Sequence, residues 1–179
     1  LAKGASRFRA LPLSRLSAED LTTNQDTGLY LKTAEASLGA VSGFVSHSWA
    51  DDGAAKFIQL HAWGHEARRG EGLKDPLIWL DKACIKQDQS DEEKQADINA
   101  LPVFLSGCRS LIVLAGMTYA SRLWCVVELF VYLRMGGEKE RIRVLELGGV
   151  DVRIALNRFD AAKAKCFLQA DQERLLAVV

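Results

Sequence analysis

The stretch SLIVLAGMTYASRLWCVVELFVYLR, Ser110–Arg134, decides the fold. It opens on an apolar run, Ser110–Gly116, too short for a helix and closed by glycine, which reads as a strand buried on both faces. Ser121 then reads as a helix N-cap. Leu123, Val126, Val127, Phe130 and Leu133 recur at three- and four-residue intervals and predict an amphipathic helix, with Gly136 or Gly137 of MGGE as its C-cap.

Working outward, the same alternation repeats. GFVSHSW (Gly43–Trp49), PLIWLD (Pro76–Asp81) and RIRVLEL (Arg141–Leu147) read as further strands. Helical material lies between them. DDGAAKFIQLHAWGHEARR carries an apolar stripe of Phe57, Ile58, Leu60 and Trp63. ADINALPVFLSGC carries Ile98, Leu101, Phe104 and Leu105, with Pro102 predicting a kink or a late start. The intervening DQSDEEK reads as a solvated loop face. After the fourth strand GGVDVR turns the chain, and DAAKAKCFLQADQERLLAVV is helical, with no clear fifth strand. Strands alternating with helices predict an α/β domain with a parallel sheet and right-handed crossovers.

The 179 residues suit one domain. Lys+Arg and Asp+Glu balance at 23 each, so no net field draws nucleic acid or an anionic membrane, and no apolar run is long enough for a membrane helix. Cys84, Cys108, Cys125 and Cys166 lie apart without a C-x-x-C pair and read as reduced, mostly buried thiols of an intracellular, cytoplasmic protein. The chain opens without Met and stops in apparent mid-helix, and so reads as a piece of something longer. Residues 1–42 read as a basic arm and lead-in, with Lys3, Arg7, Arg9 and Arg15 and no acid in the first eighteen residues. The arm is preferred to the remains of an organelle-targeting segment. Residues 43–179 are expected to form the α/β domain, which reads as cut short at its C-terminus.

In such sheets ligands gather beyond the carboxyl ends of the strands. Here those ends carry His47, Ser48 and Trp49, then Asp81 and Lys82, then Gly116, Met117 and Thr118. Within the greasy helix one carboxylate, Glu128, lies four residues from Trp124 and shares its face, which predicts a place at the edge of the core. An ionised carboxylate buried alone costs several kcal/mol, so Glu128 is at a rim, paired with a cation such as Lys82 or Arg122, or functional. His61 and His65 lie four apart, but no third ligand is evident and no metal site is expected. Phosphate-loop signatures and a nucleophile elbow are absent from the sequence.

TYASRLWCVVELFVYL resembles the third-helix region of TIR domains, the Toll/interleukin-1 receptor type. Plant members there read roughly Tyr-Ala-x-Ser-x-Trp-Cys-x-x-Glu-Leu. Tyr119, Ala120, Ser121, Trp124, Cys125, Glu128 and Leu129 fill the pattern with one extra residue between Ser121 and Trp124. FVSHSWADD, IWLDKA and SLIVLAGMTYAS resemble the first, second and third TIR strands. The resemblance implies a flavodoxin-like three-layer sandwich, with a central parallel sheet of four to five strands in order 2-1-3-4-5 flanked by helices. It implies that Glu128 is the catalytic residue of NAD+ cleavage into nicotinamide and ADP-ribose or a cyclic form. His47, Ser48, Trp49, Asp81 and Trp124 would then form the nucleotide site, with NAD+ as substrate and no prosthetic group. Self-association, or pairing with other TIR-like domains, is the implied partnership. Two departures stand out. The glycine-bearing loop after the second strand is missing from KACIKQDQSDEEKQADI, and HSW follows the first strand in place of an aromatic-Arg pair. Two readings follow: an NAD+ nucleosidase, preferred because the Trp124–Glu128 spacing is kept, and a non-catalytic TIR-like interaction module in which Glu128 pairs with a cation.

Overall fold

Strands that bury both faces nucleate this domain. Every residue of β3 (Gly43–His47) and β5 (Leu111–Ala115) is buried, as their near-continuous apolar sequences require. The computed structural model describes residues 6–72 and 74–149. It is an α/β domain with a six-stranded, mostly parallel sheet flanked by helices. The remaining strands are β1 (Arg9–Pro12), β2 (Ala34–Glu35), β4 (Leu77–Trp79) and β6 (Ile142–Glu146), and the order is β2-β1-β4-β3-β5-β6.

Count and order differ from the expected four to five strands in order 2-1-3-4-5. Four strands are parallel, and they stand second, first, third, fourth in chain order among themselves. Beyond β4 the sheet continues with β1, antiparallel through Leu11↔Ile78, and then β2, antiparallel through Arg9↔Glu35. Both strands come from the lead-in segment. Their brevity hid them, as did Pro12, which a strand tolerates only at an edge or an end. Phe8, Leu11, Leu13, Leu16, Leu21 and Leu29 all join the core, so this segment is packed into the domain over residues 8–29. The turn and helix read from 150–179, and Cys166 with them, lie outside the described residues.

Helix α1 (Ala18–Thr22) has a capping box, Ser17 with Asp20, and docks on α2 (Gly53–Glu71). On α2 the buried stripe is Gly53, Lys56, Leu60, Trp63, Gly64 and Ala67. This is a helical face, but a lysine occupies one of its inner positions. Ile58, expected inside, is 64% exposed as a result. Helix α3 (Asp81–Cys84) is a single turn directly after β4. Helix α4 (Asp91–Ser106) starts earlier than expected, because Ser90 and Glu93 form a capping box inside the charged run. That run therefore supplies a helix start rather than a loop, and Pro102 lies within the helix. Helix α5 (Leu123–Arg134) begins after a 3-10 turn, Tyr119–Ser121, so its N-cap is Arg122 and not Ser121. It ends in a Schellman arrangement: Gly136, in the left-handed region at φ 83°, donates to Leu133 O, and Gly137 donates to Tyr132 O. Phe44, Trp79 and Phe104 stack in series, joining β3, β4 and α4. No helix of the described residues is long and apolar enough to cross a membrane.

Gly53 fixes how α1 meets α2, since a Cβ there would run into the Leu21 carbonyl, a backbone atom that no rotamer change can move. Gly53→Ala is therefore expected to cost about 1–3 kcal/mol, the usual range for overpacking, read as a lower urea midpoint. Gly70→Ala, in the same helix but with open space around it, is expected to raise the midpoint slightly.

Candidate functional site

Glu128 is not at the rim. Only 2% exposed, it is among the most buried polar residues of the domain. The buried residues of α5 are Leu123, Cys125, Val127, Glu128, Val131 and Tyr132, while Leu133, expected inside, is 40% exposed. The helix is turned so that the carboxyl points at β3. There Ser46 Oγ lies 2.5 Å from Glu128 Oε2, and Trp124 donates its indole Nε1–H to Oε1 at 2.6 Å. Ser46 Oγ in turn lies 2.7 Å from the buried Tyr119 hydroxyl. Neither Lys82 nor Arg122 pairs with the carboxyl. Lys82 Nζ instead donates to the carbonyls of Asp20 and Thr23. Burial pushes the Glu128 carboxyl well above the usual range, against the hydrogen bonds of Ser46 and Trp124, and so favours its neutral form. The same burial raises the Tyr119 hydroxyl and the Cys125 thiol. Cys84, Cys108 and Cys125 are all buried and free.

At the ends of β3 and β4 a second carboxylate has the opposite surroundings. Asp81, first residue of α3, accepts from the Lys82 backbone N–H at 2.7 Å and lies 3.2 Å from His47 Nε2, both through Oδ1. Its Oδ2 accepts the Trp49 indole N–H at 3.0 Å. The side chain of His47 is 1% exposed and that of Asp81 23%. Nδ1 of His47 is buried without a partner, and because an ionised carboxylate only accepts, it is Nε2–H that donates to Asp81. Burial alone would raise the Asp81 carboxyl; His47, the Lys82 amide and the Trp49 indole outweigh it and hold the group below the ordinary carboxylate range.

Ser48 serves a different purpose. It is 1% exposed, and its hydroxyl lies 2.7 Å from Thr118 Oγ1, while Asp51 accepts from Thr118 N and Oγ1 at 2.9 Å each. These bonds tie the loop after β3 to the loop after β5. Gly116 leaves the space that the Asp51 carboxyl occupies. Lys56, fully buried, donates to Ser48 O at 2.7 Å; burial lowers its ammonium despite Asp51 and Asp81 nearby. Its Nζ and that of Lys82 lie 5.8 and 5.4 Å from the Trp49 ring centre. Trp49 is therefore committed, its N–H to Asp81 and its ring to two ammonium groups.

Between these groups opens a cleft of about 380 Å³, bounded by Trp49, Asp81, Lys82, Gln89, Arg122 and Trp124 among others. Of the residues expected at the site, Trp49, Asp81 and Trp124 face this cleft; His47, Ser48 and Glu128 lie behind its walls. Trp124 faces both ways, its N–H on Glu128 and its ring on the cleft. Ser46, Tyr119 and Lys56 were not anticipated. A serine inside an apolar strand and a lysine at a helical stripe position were the available signals. His61 rests against Phe57, ring centres 4.2 Å apart, and among the described residues no group of His, Cys, Asp and Glu could hold a metal. Compared with protein-family models, curated proteins and solved structures, the chain matches none.

The buried carboxyl makes stability depend on pH. Its folded pKa lies above its unfolded one, so the folded state keeps a proton that the unfolded chain releases above about pH 4.3. This contribution is complete below that pH and is lost as pH rises toward the folded value, by up to about 1.4 kcal/mol per unit. Glu128→Gln keeps the shape without the titration. Between about pH 5 and about pH 8, the urea midpoint of the wild type is expected to fall relative to that of Glu128→Gln.

Proposed function

We propose that the chain is a TIR-like domain that takes NAD+ or a related dinucleotide into the cleft at the strand ends and cleaves its nicotinamide–ribose bond. The observation that carries this reading is the cleft itself. It joins an aromatic wall, Trp124, an ionised carboxylate, Asp81, and basic residues, Lys86 and Arg122, at the carboxyl ends of parallel strands. A planar ring, a sugar and a phosphate are what such a set accommodates. At about 380 Å³ the cleft is at the small end of the range for ligand sites, with room for one nucleotide half and the other half extending outward.

Cleavage of this bond needs little acid, because the leaving group is a cationic pyridinium that departs neutral. Positive charge develops on the ribose as an oxocarbenium-like centre, and a fixed anion beside it lowers the barrier. Water or the adenine of the same molecule then captures the sugar. In this reading Glu128 takes part only after Trp124 releases it and turns aside. Freed from the indole and wetted, the carboxyl would ionise. Ligand binding or self-association supplies the occasion, so a dilute unliganded chain is the resting form.

The burial of Glu128 favours a second reading, a non-catalytic TIR-like interaction module. There the Trp124–Glu128–Ser46 bonds serve only to seat α5 on the sheet, and the same fold pairs with other TIR-like domains.

Free nicotinamide separates the two. Protein at low and high concentration is incubated with NAD+. Release is expected from the concentrated wild type and a loss of at least about a hundredfold in Glu128→Gln, the scale for losing a positioned charge. No release in any assembled state favours the interaction module. Release that survives the substitution assigns the chemistry to another group.

A further inference from the structure

Within the reading of the cleft as a nucleotide site, we infer that Asp81, not Glu128, is the carboxylate that meets the bound nucleotide, accepting a ribose hydroxyl on Oδ2, with His47 and Trp49 as its positioning residues. The argument is an inventory of acceptors. A carboxylate oxygen accepts about two hydrogen bonds. Oδ1 of Asp81 is used twice, by the Lys82 amide and His47; Oδ2 is used once, by Trp49. Asp81 lines the cleft and its side chain is 23% exposed, so the remaining acceptor position belongs to the one anion that a ligand there can reach. Both Glu128 oxygens are already engaged behind Trp124.

The support around Asp81 is not what a structural ion pair requires. Its three partners hold both oxygens in place from the protein side, and none of them is a lysine or arginine side chain. Lys82, its neighbour in sequence, turns its ammonium away to Asp20 O and Thr23 O. A second group in the same cleft also awaits a partner: the Gln89 amide nitrogen is buried and makes no hydrogen bond. Asp81 and Gln89 thus line the same cleft as Trp124. This suits a nucleoside presenting a sugar hydroxyl and a carbonyl or phosphate oxygen.

The test uses nicotinamide mononucleotide and its 2′,3′-dideoxy analogue, titrated calorimetrically into wild type and Asp81→Asn. The wild type is expected to bind the mononucleotide at least about tenfold more tightly than the dideoxy analogue, the scale for a hydrogen bond to a charged group. Asp81→Asn should lose that preference between the two probes, the non-additive pattern of two groups in direct contact. His47→Gln, which keeps a donor, should retain more of the preference than His47→Leu. Wild-type protein that binds both probes equally overturns the inference while the nucleotide reading stands, and this holds even where Asp81→Asn fails to fold. Wild-type protein that binds neither probe nor NAD+ overturns the nucleotide reading, and the inference with it.

Discussion

A carboxyl group buried without a cation, between an indole N–H and a serine hydroxyl, sets the geometry on which the rest of this domain depends. An ionised Glu128 in that position would cost several kcal/mol. A neutral one costs far less and still needs its hydrogen bonds. Those bonds are available in one rotation of α5 only, the one that brings Glu128 over Ser46 of β3. The same rotation turns Trp124 edge-on to Glu128 and leaves its ring as a wall of the cleft. One buried polar contact thus seats the helix on the sheet and shapes the surface that a ligand would meet. Tyr119, bonded to Ser46 and buried in the turn before α5, ties the start of the helix into the same network.

The four parallel strands were legible, and for the two central ones the physical demand is simple. A parallel strand covered on both faces must be apolar along its length, and LIVLA can be little else. Helix facing was less legible, for one recurring reason. Lys56 and Glu128 occupy inner positions of their helices, so a stripe drawn through apolar residues alone is rotated away from the true one. Ile58 and Leu133 were placed inside by that rotation and are exposed. Lys56 can sit inside because its ammonium reaches the Ser48 carbonyl, a partner distant in space that no local pattern reveals. Boundaries failed similarly. Ser121 resembles a cap but closes a 3-10 turn, donating to Thr118 O, whereas the capping box of Ser90 and Glu93 was obscured by the charges around it.

The candidate site was legible by position and not by orientation. The rule that ligands gather at strand ends brought attention to His47, Trp49 and Asp81, and these three are bonded together. Spacing alone could not say which of them faces outward. That depends on Trp49 being held between Lys56 and Lys82, and on His47 lying beneath Asp81. The N-terminal segment matters here too. Without the carbonyls of Asp20 and Thr23, Lys82 would have no reason to turn from the acid beside it, and the anion in the cleft would be paired with its own neighbour.

Two carboxyl groups, Asp81 in the wall of the cleft and Glu128 enclosed behind it, have thus been driven apart, burial raising one and its hydrogen-bond partners lowering the other. Where environments separate a pair of acids in this way, their chemical roles differ as well. Under the proposed reaction, a sugar developing positive charge in the cleft would meet Asp81, which lines it. It would meet Glu128 only across the plane of Trp124. The indole N–H can leave Glu128 only if another donor, or water, replaces it, since the freed carboxyl would otherwise lose a hydrogen bond in a dry place. A ligand that stacks on Trp124 and draws it aside would admit that water. Under the proposed function the state of the second acid would follow from occupancy beside the first, and the order of events would run from Asp81 to Trp124 to Glu128.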